Sequence, residues 1–108
     1  MILVDGRVKL APGEIDRLHD AASEMARTTR NEPGCLDYAF AADLTDPDVL
    51  RVIERWEDES ALAAHLASPH MAAFNALLAG ARIEDISVKA YAADYIRTLM
   101  EKSQSSGR

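Results

Sequence analysis

Cysteine is almost absent. Cys35 is the one thiol in 108 residues, so no internal disulfide can form, and a reducing cytoplasm is the expected location. No positive group stands beside Cys35 in sequence, so it reads as a small buried residue opening a strand rather than a nucleophile. Long apolar runs are also missing. None approaches the 18 residues of a membrane span, and the opening MILVDGRVKL has neither the charged leader nor the apolar stretch of a signal peptide. Positive charge is in deficit: 12 Lys and Arg against 18 Asp and Glu leave −6. That excludes the basic face a nucleic-acid binder needs and any attraction to anionic membranes. C-x-x-C, H-E-x-x-H and G-x-G-x-x-G are all lacking. His65 and His70 stand five apart with Pro69 between them, so they do not pair on one helix face. No metal site and no cofactor are expected.

Apolar residues make up 48% of the chain, which argues against disorder. The length suits one domain burying roughly two thirds of its unfolded surface. Aromatics are few: Phe40, Phe74, Trp56, Tyr38, Tyr91 and Tyr95.

Hydrophobic periodicity places the elements. Ile2 to Leu10 alternates as a first strand, and Pro12-Gly13 breaks it. From Glu14 to Arg30, Ile15, Leu18, Ala22, Met25, Ala26 and Thr29 recur on one face of an amphipathic helix. Asn31-Glu32-Pro33-Gly34 stops it. Cys35 to Ala42 is a second strand with Leu36, Tyr38 and Phe40 on one face. Leu44 to Asp48 is a turn, and Val49 to Glu57 is a third strand, apolar on both faces. Asp58 is an N-cap for a helix turning Leu62, Ala63 and Leu66 inward. Ser68 caps a second helix with Pro69 in its first turn and Met71, Phe74, Leu77 and Leu78 as its stripe, closed by Gly80. Glu84 to Ala92 alternates as a fourth strand. The spacing of Tyr95, Ile96, Leu99 and Met100 predicts a tail helix, with a frayed end from Lys102. The order β-α-β-β-α-β is the α+β, ferredoxin-like arrangement, a four-stranded antiparallel sheet with helices on one face. Residues 1–93 are the expected domain and 94–108 its tail.

The stretch from Val52 to Met71 carries the chemistry. A strand ending in Trp56 meets two helix starts bearing His65 and His70, which brings an indole, two imidazoles and apolar side chains to one junction. His65 can act as a base or hydrogen-bond partner near neutral pH; the alternative is a structural histidine. His70, in the first turn of its helix, is either a pocket residue or a surface one, and His19 is taken as surface. Tyr38 is a candidate donor beside Phe40. Asn75 sits one turn after Met71, so it is either exposed or a polar contact of the site. Trp56, Met71 and Phe74 are pocket walls or core. Arg7 and Arg55 read as solvated strand positions.

Those same residues resemble a known family. Glu32-Pro33-Gly34-Cys35 with Tyr38, Glu54-Arg55-Trp56, and Leu62, His65-Leu66, Ser68-Pro69-His70-Met71 with Phe74 are similar to the motifs of the antibiotic biosynthesis monooxygenase (ABM) family, including its small quinol-oxidising members. The resemblance runs from about residue 2 to residue 92. It implies a homodimer whose sheets meet face to face, forming a dimeric α/β barrel, and a pocket between sheet and helices. It also implies O₂-dependent oxidation of a small phenolic or quinol substrate without metal or flavin. In that reading His65, Tyr38 and Asn75 act on the substrate, while Trp56, Phe40, His70, Met71 and Phe74 bind it. Two other readings stay open: a non-catalytic dimeric binding or pathway-accessory protein, and a haem-binding one. Against haem, Asn75 stands where the haem-degrading branch has its axial histidine, and Gly6 where it has an asparagine on the first strand.

Overall fold

Seven elements follow in order: β1 (Ile2–Leu10), α1 (Glu14–Thr29), β2 (Cys35–Asp43), β3 (Asp46–Trp56), α2 (Glu59–Leu66), α3 (Pro69–Ala79) and β4 (Ile83–Ala92). This computed structural model describes residues 1–102. The strands form one antiparallel sheet in the order β2-β3-β1-β4, the expected ferredoxin-like arrangement with its second helical segment divided in two. The division falls where both capping residues stand. The Asp58 carboxylate accepts from the Ala61 amide at 2.9 Å, and the Ser68 hydroxyl accepts from the Met71 amide at 3.2 Å.

Alternation sorts the strands into two faces. Val4, Gly6, Val8 and Leu10 of β1 share the helix-facing side with Leu50, Val52, Glu54 and Trp56 of β3; Val4 stands opposite Glu54, Gly6 opposite Val52 and Val8 opposite Leu50. Leu18, Ala22, Met25 and Ala26 of α1 and Phe74 of α3 close over them. The other face is a charged lattice. Arg7 pairs with Asp85, Arg51 with Asp5 and Asp43, and Arg55 with Asp37, so Arg7 and Arg55 point away from the helices.

Several expectations change. A bulge between Cys35 and Asp37 takes Leu36 out of phase, leaving it 48% exposed, while Cys35, Tyr38 and Phe40 share the inner face. The expected turn over Leu44–Asp48 shrinks, because β3 starts at Asp46; the Asp43 carboxylate accepts from both the amide and the hydroxyl of Thr45. On α2 the inward residues are Ala61, Leu62 and His65, while Ala63 and Leu66 face out. Leu77 of α3 is likewise exposed.

The tail helix is absent. Residues 93–102 carry no helix, and Tyr95, Ile96, Leu99 and Met100 are all largely exposed. So short a helix needs a surface to bury its stripe against, and the described residues of one chain give it none. Most of the expected frayed end lies outside the described residues. No helix among the described residues is long and apolar enough to cross a membrane.

Candidate functional site

Gly34 sets the site's geometry. It lies at φ 82°, where side chains are disfavoured, and a Cβ there would stand 2.6 Å from Cβ of Ala61. The turn after α1 therefore presses directly onto α2. This contact carries Glu32 to the α2–α3 junction, 33 residues away in sequence from His65. Glu32 Oε2 lies 2.8 Å from Nδ1 of His65 and 2.5 Å from Nε2 of His70. His65 is 1% exposed, and its Nε2 has no hydrogen-bond partner among the described residues. Its ring packs against Trp56 at 4.9 Å between centroids, tilted by 33°, and meets Tyr38 at 5.3 Å. The two histidines do not share a helix face, as their spacing indicates, yet they meet. They sit on different helices either side of a corner, and a carboxylate from a third element joins them.

Beyond Trp56 lies a second polar group. Glu54 is buried, and its Oε1 accepts from the indole Nε1 of Trp56 at 2.9 Å. Burial pushes the Glu54 carboxyl up from its ordinary value, against the opposing indole bond and the nearby His65. Burial raises the Tyr38 phenol as well, with the charges of Glu54 and Glu32 adding to it, so Tyr38 keeps its proton and can donate. Burial likewise raises the Cys35 thiol, which fits a packed residue rather than a nucleophile.

Glu54 and Tyr38 line a cavity of about 100 Å³ between the sheet and helices α1 and α3. Every other lining residue is apolar, including Phe40, Val52, Met71, Phe74, Leu78, Ile86 and Val88. A groove of about 400 Å³ lies alongside, between α1 and β2–β3, rimmed by His19, Arg27 and Arg30. Leu10, Leu18, Ala22, Phe40 and Leu50 line both, so these side chains are the partition between them. The arrangement offers an ionisable oxygen and a neutral phenol donor to a flat apolar guest.

Of the expected site residues, the structure brings Tyr38, Phe40, Met71 and Phe74 to the cavity. Trp56 stands behind Glu54. His65 and His70 belong to the Glu32 cluster and do not line the cavity, and Nδ1 of His65 is taken up by Glu32. Asn75 is exposed on α3, on the helix face away from Phe74, so it is not a polar contact of this cavity. Glu54 and Glu32 were missed. Alternation with Val52 and Trp56 could have flagged Glu54 as a carboxylate on the inner face; nothing local marks Glu32, whose role depends on the turn's docking.

A family model described as antibiotic biosynthesis monooxygenase matches residues 1–77. The probable quinol monooxygenase YgiN of Escherichia coli is 31% identical over 94 residues, covering 78% of this chain and 90% of that protein. The uncharacterised protein sll1783 of Synechocystis is 29% identical over 73 residues; the match covers 68% of this chain and spans about half the length of that relative, 50%. A crystal structure from Deinococcus radiodurans superposes with a TM-score of 0.86 at 27% identity, covering 94% of this chain and 100% of that one.

Proposed function

Since the chain belongs to the antibiotic biosynthesis monooxygenase family, we propose that it is an O₂-dependent monooxygenase acting on a small phenolic or quinol substrate, with no cofactor needed for the chemical step. The observation that carries this reading is the apolar cavity with Glu54 and Tyr38 as its two polar side chains. An ionised quinol is electron-rich enough to reduce O₂ itself. The chain need only take a proton, hold the anion and keep water out. Glu54 is the base, its carboxylate raised toward the range where proton removal is effective. Tyr38 donates to the developing charge, and Phe40, Met71 and Phe74 flank the ring. One oxygen atom enters the ring to give a hydroxyquinone and the other leaves as water; the quinol supplies the electrons. His65 supports this from behind, its ring packed against those of Trp56 and Tyr38, rather than taking the proton.

A cavity of about 100 Å³ is below the ~150 Å³ of an engineered cavity that accepts benzene. Even a single ring therefore needs the Phe40 partition to move, or room on the open side at Ile86 and Val88.

The reading includes a homodimer. β4 is an edge strand packed on β1 alone among its major contacts, and Ile86 and Val88, which bound the cavity's open side, stay half exposed. The apolar tail residues Tyr95, Ile96, Leu99 and Met100 are exposed as well. A second copy would cover them and close the cavity.

The test is O₂ uptake by metal-stripped protein with single-ring quinols, followed by ¹⁸O₂ labelling of the product. Uptake above autoxidation with one labelled atom per product is expected. Saturable quinol binding without uptake would mark a binding protein instead.

A further inference from the structure

We propose that Glu32, His65 and His70 form a binding site for a divalent first-row transition-metal ion, with zinc as its reference occupant. The site is separate from the substrate cavity, and the proposal does not rest on the quinol reading.

The three side chains come from three elements: the turn after α1, the last turn of α2 and the first turn of α3. Each offers one ligand atom, and the three atoms lie within 4.8 Å of one another. Two imidazole nitrogens and one carboxylate oxygen are the donor set that suits zinc, iron, cobalt and nickel, and it is a poor set for magnesium or calcium, which take oxygens. Three protein ligands leave a coordination position for water, and Glu32 and His70, at 15% and 25% exposed side chains, open the site to solvent while His65 forms its floor.

The geometry needs little adjustment. Donor atoms around a tetrahedral zinc stand about 3.3 Å apart, given bonds of about 2.0–2.1 Å. Glu32 Oε2, now 2.8 and 2.5 Å from the two nitrogens, would withdraw by less than about 1 Å as the ion takes the place of the shared protons. The imidazoles would draw together, with His70 the freer to move. The ion would pin the α1–β2 turn to the α2–α3 corner, so its binding adds directly to folding stability.

The experiment uses the full chain without a histidine tag, stripped with EDTA. Calorimetric titration with Zn²⁺ should show one saturable site per chain at micromolar concentration, with a rise in Tm. Co²⁺ should give the visible absorption of an imidazole-ligated ion, and Mg²⁺ and Ca²⁺ should give neither response. His70→Ala and Glu32→Gln, each checked for a native far-UV spectrum, should weaken zinc by roughly 10²-fold or more, since loss of a supporting residue alone costs 10–100-fold. His70 is partly exposed, so His70→Ala tests the site even should Glu32→Gln fail to fold. Three results would overturn the proposal: no saturable binding below millimolar zinc, undiminished binding in the folded variants, or an equal response to Mg²⁺. None of these readouts involves turnover, so they stand whether or not quinols are oxidised.

Discussion

The Trp56 indole donates to Oε1 of Glu54 at 2.9 Å, with both side chains buried two residues apart on the inner face of β3. Burial raises the Glu54 carboxyl and the indole bond opposes the rise. Trp56→Phe keeps an aromatic ring and removes the donor, so the carboxyl should rise further. Glu54 must be ionised to take a proton, so activity is lost as pH falls through its pKa. The acid limb of kcat/KM should therefore move to higher pH in Trp56→Phe. A limb that stays in place would remove Glu54 as the base.

Stability and activity should part at Glu54. A carboxyl whose folded pKa lies above its unfolded value contributes its full stability below the unfolded pKa and loses it as pH rises through the folded one. Above its folded pKa the ionised Glu54 is thus a cost to the fold. Glu54→Gln keeps the acceptor for Trp56 and removes the charge. Turnover should fall about 10²–10⁴-fold, while Tm at pH 7 holds or rises and the difference fades below about pH 4. A Tm that drops together with turnover would mean that Glu54 serves structure alone.

Phe40 is the movable part of the partition. Its ring meets Tyr38 edge-on at 5.4 Å and Phe74 at 5.5 Å, and it lines both the cavity and the groove. Phe40→Ala should merge the two spaces and raise kcat/KM for bicyclic relative to single-ring quinols by roughly tenfold, about 1.4 kcal/mol of discrimination. The fold should lose about 3 kcal/mol, the low end for such truncations because Phe40 is only partly buried. An unchanged size preference in steady-state kinetics would place the substrate elsewhere.

Glu14 predicts acid behaviour far from the site. Hydrogen bonds from Arg17 and from the Arg82 amide hold its carboxyl down at about 2, below its ordinary 4.5. A lowered carboxyl contributes stability that is present above the unfolded pKa and lost as pH falls through the folded one. Glu14→Gln should therefore be less stable than the parent at pH 6. The gap in Tm should narrow between about pH 4.5 and pH 2. A gap independent of pH would show that packing, not charge, is what Glu14 contributes.

Much of the fold was legible because its signals are local. Period-two and period-3.6 patterns, the caps at Asp58 and Ser68 and the breakers at Pro12 and Pro33 each act within a few residues. The bulge at Leu36 was not, because it arises from pairing with β3 and so flips a residue that alternation alone places inside. The tail was misread for a related reason: the spacing of Tyr95, Ile96, Leu99 and Met100 gives a helix its stripe but not a surface to hold it. At the site, Tyr38, Phe40, Met71 and Phe74 followed from strand and helix faces. Glu32 could not, because its meeting with two histidines depends on how closely Gly34 lets a turn approach Ala61. Asn75, one residue past Phe74, is exposed and does not line this cavity.

The placement of β1 between β3 and β4 has a consequence for how the chain is made. Ile2 pairs with Ala92, and the Met1 and Ala93 backbones bond to each other. At synthesis rates of about 5–20 residues per second, one edge of β1 waits roughly 5–20 s for its neighbour. The other edge is satisfied earlier by β3, and the helices of the one covered face can already close over Val4 and Val8. The nascent chain therefore passes through a three-stranded stage whose open edge is β1 itself, and that edge is where a ribosome-associated chaperone, or a second nascent copy, would find unpaired backbone.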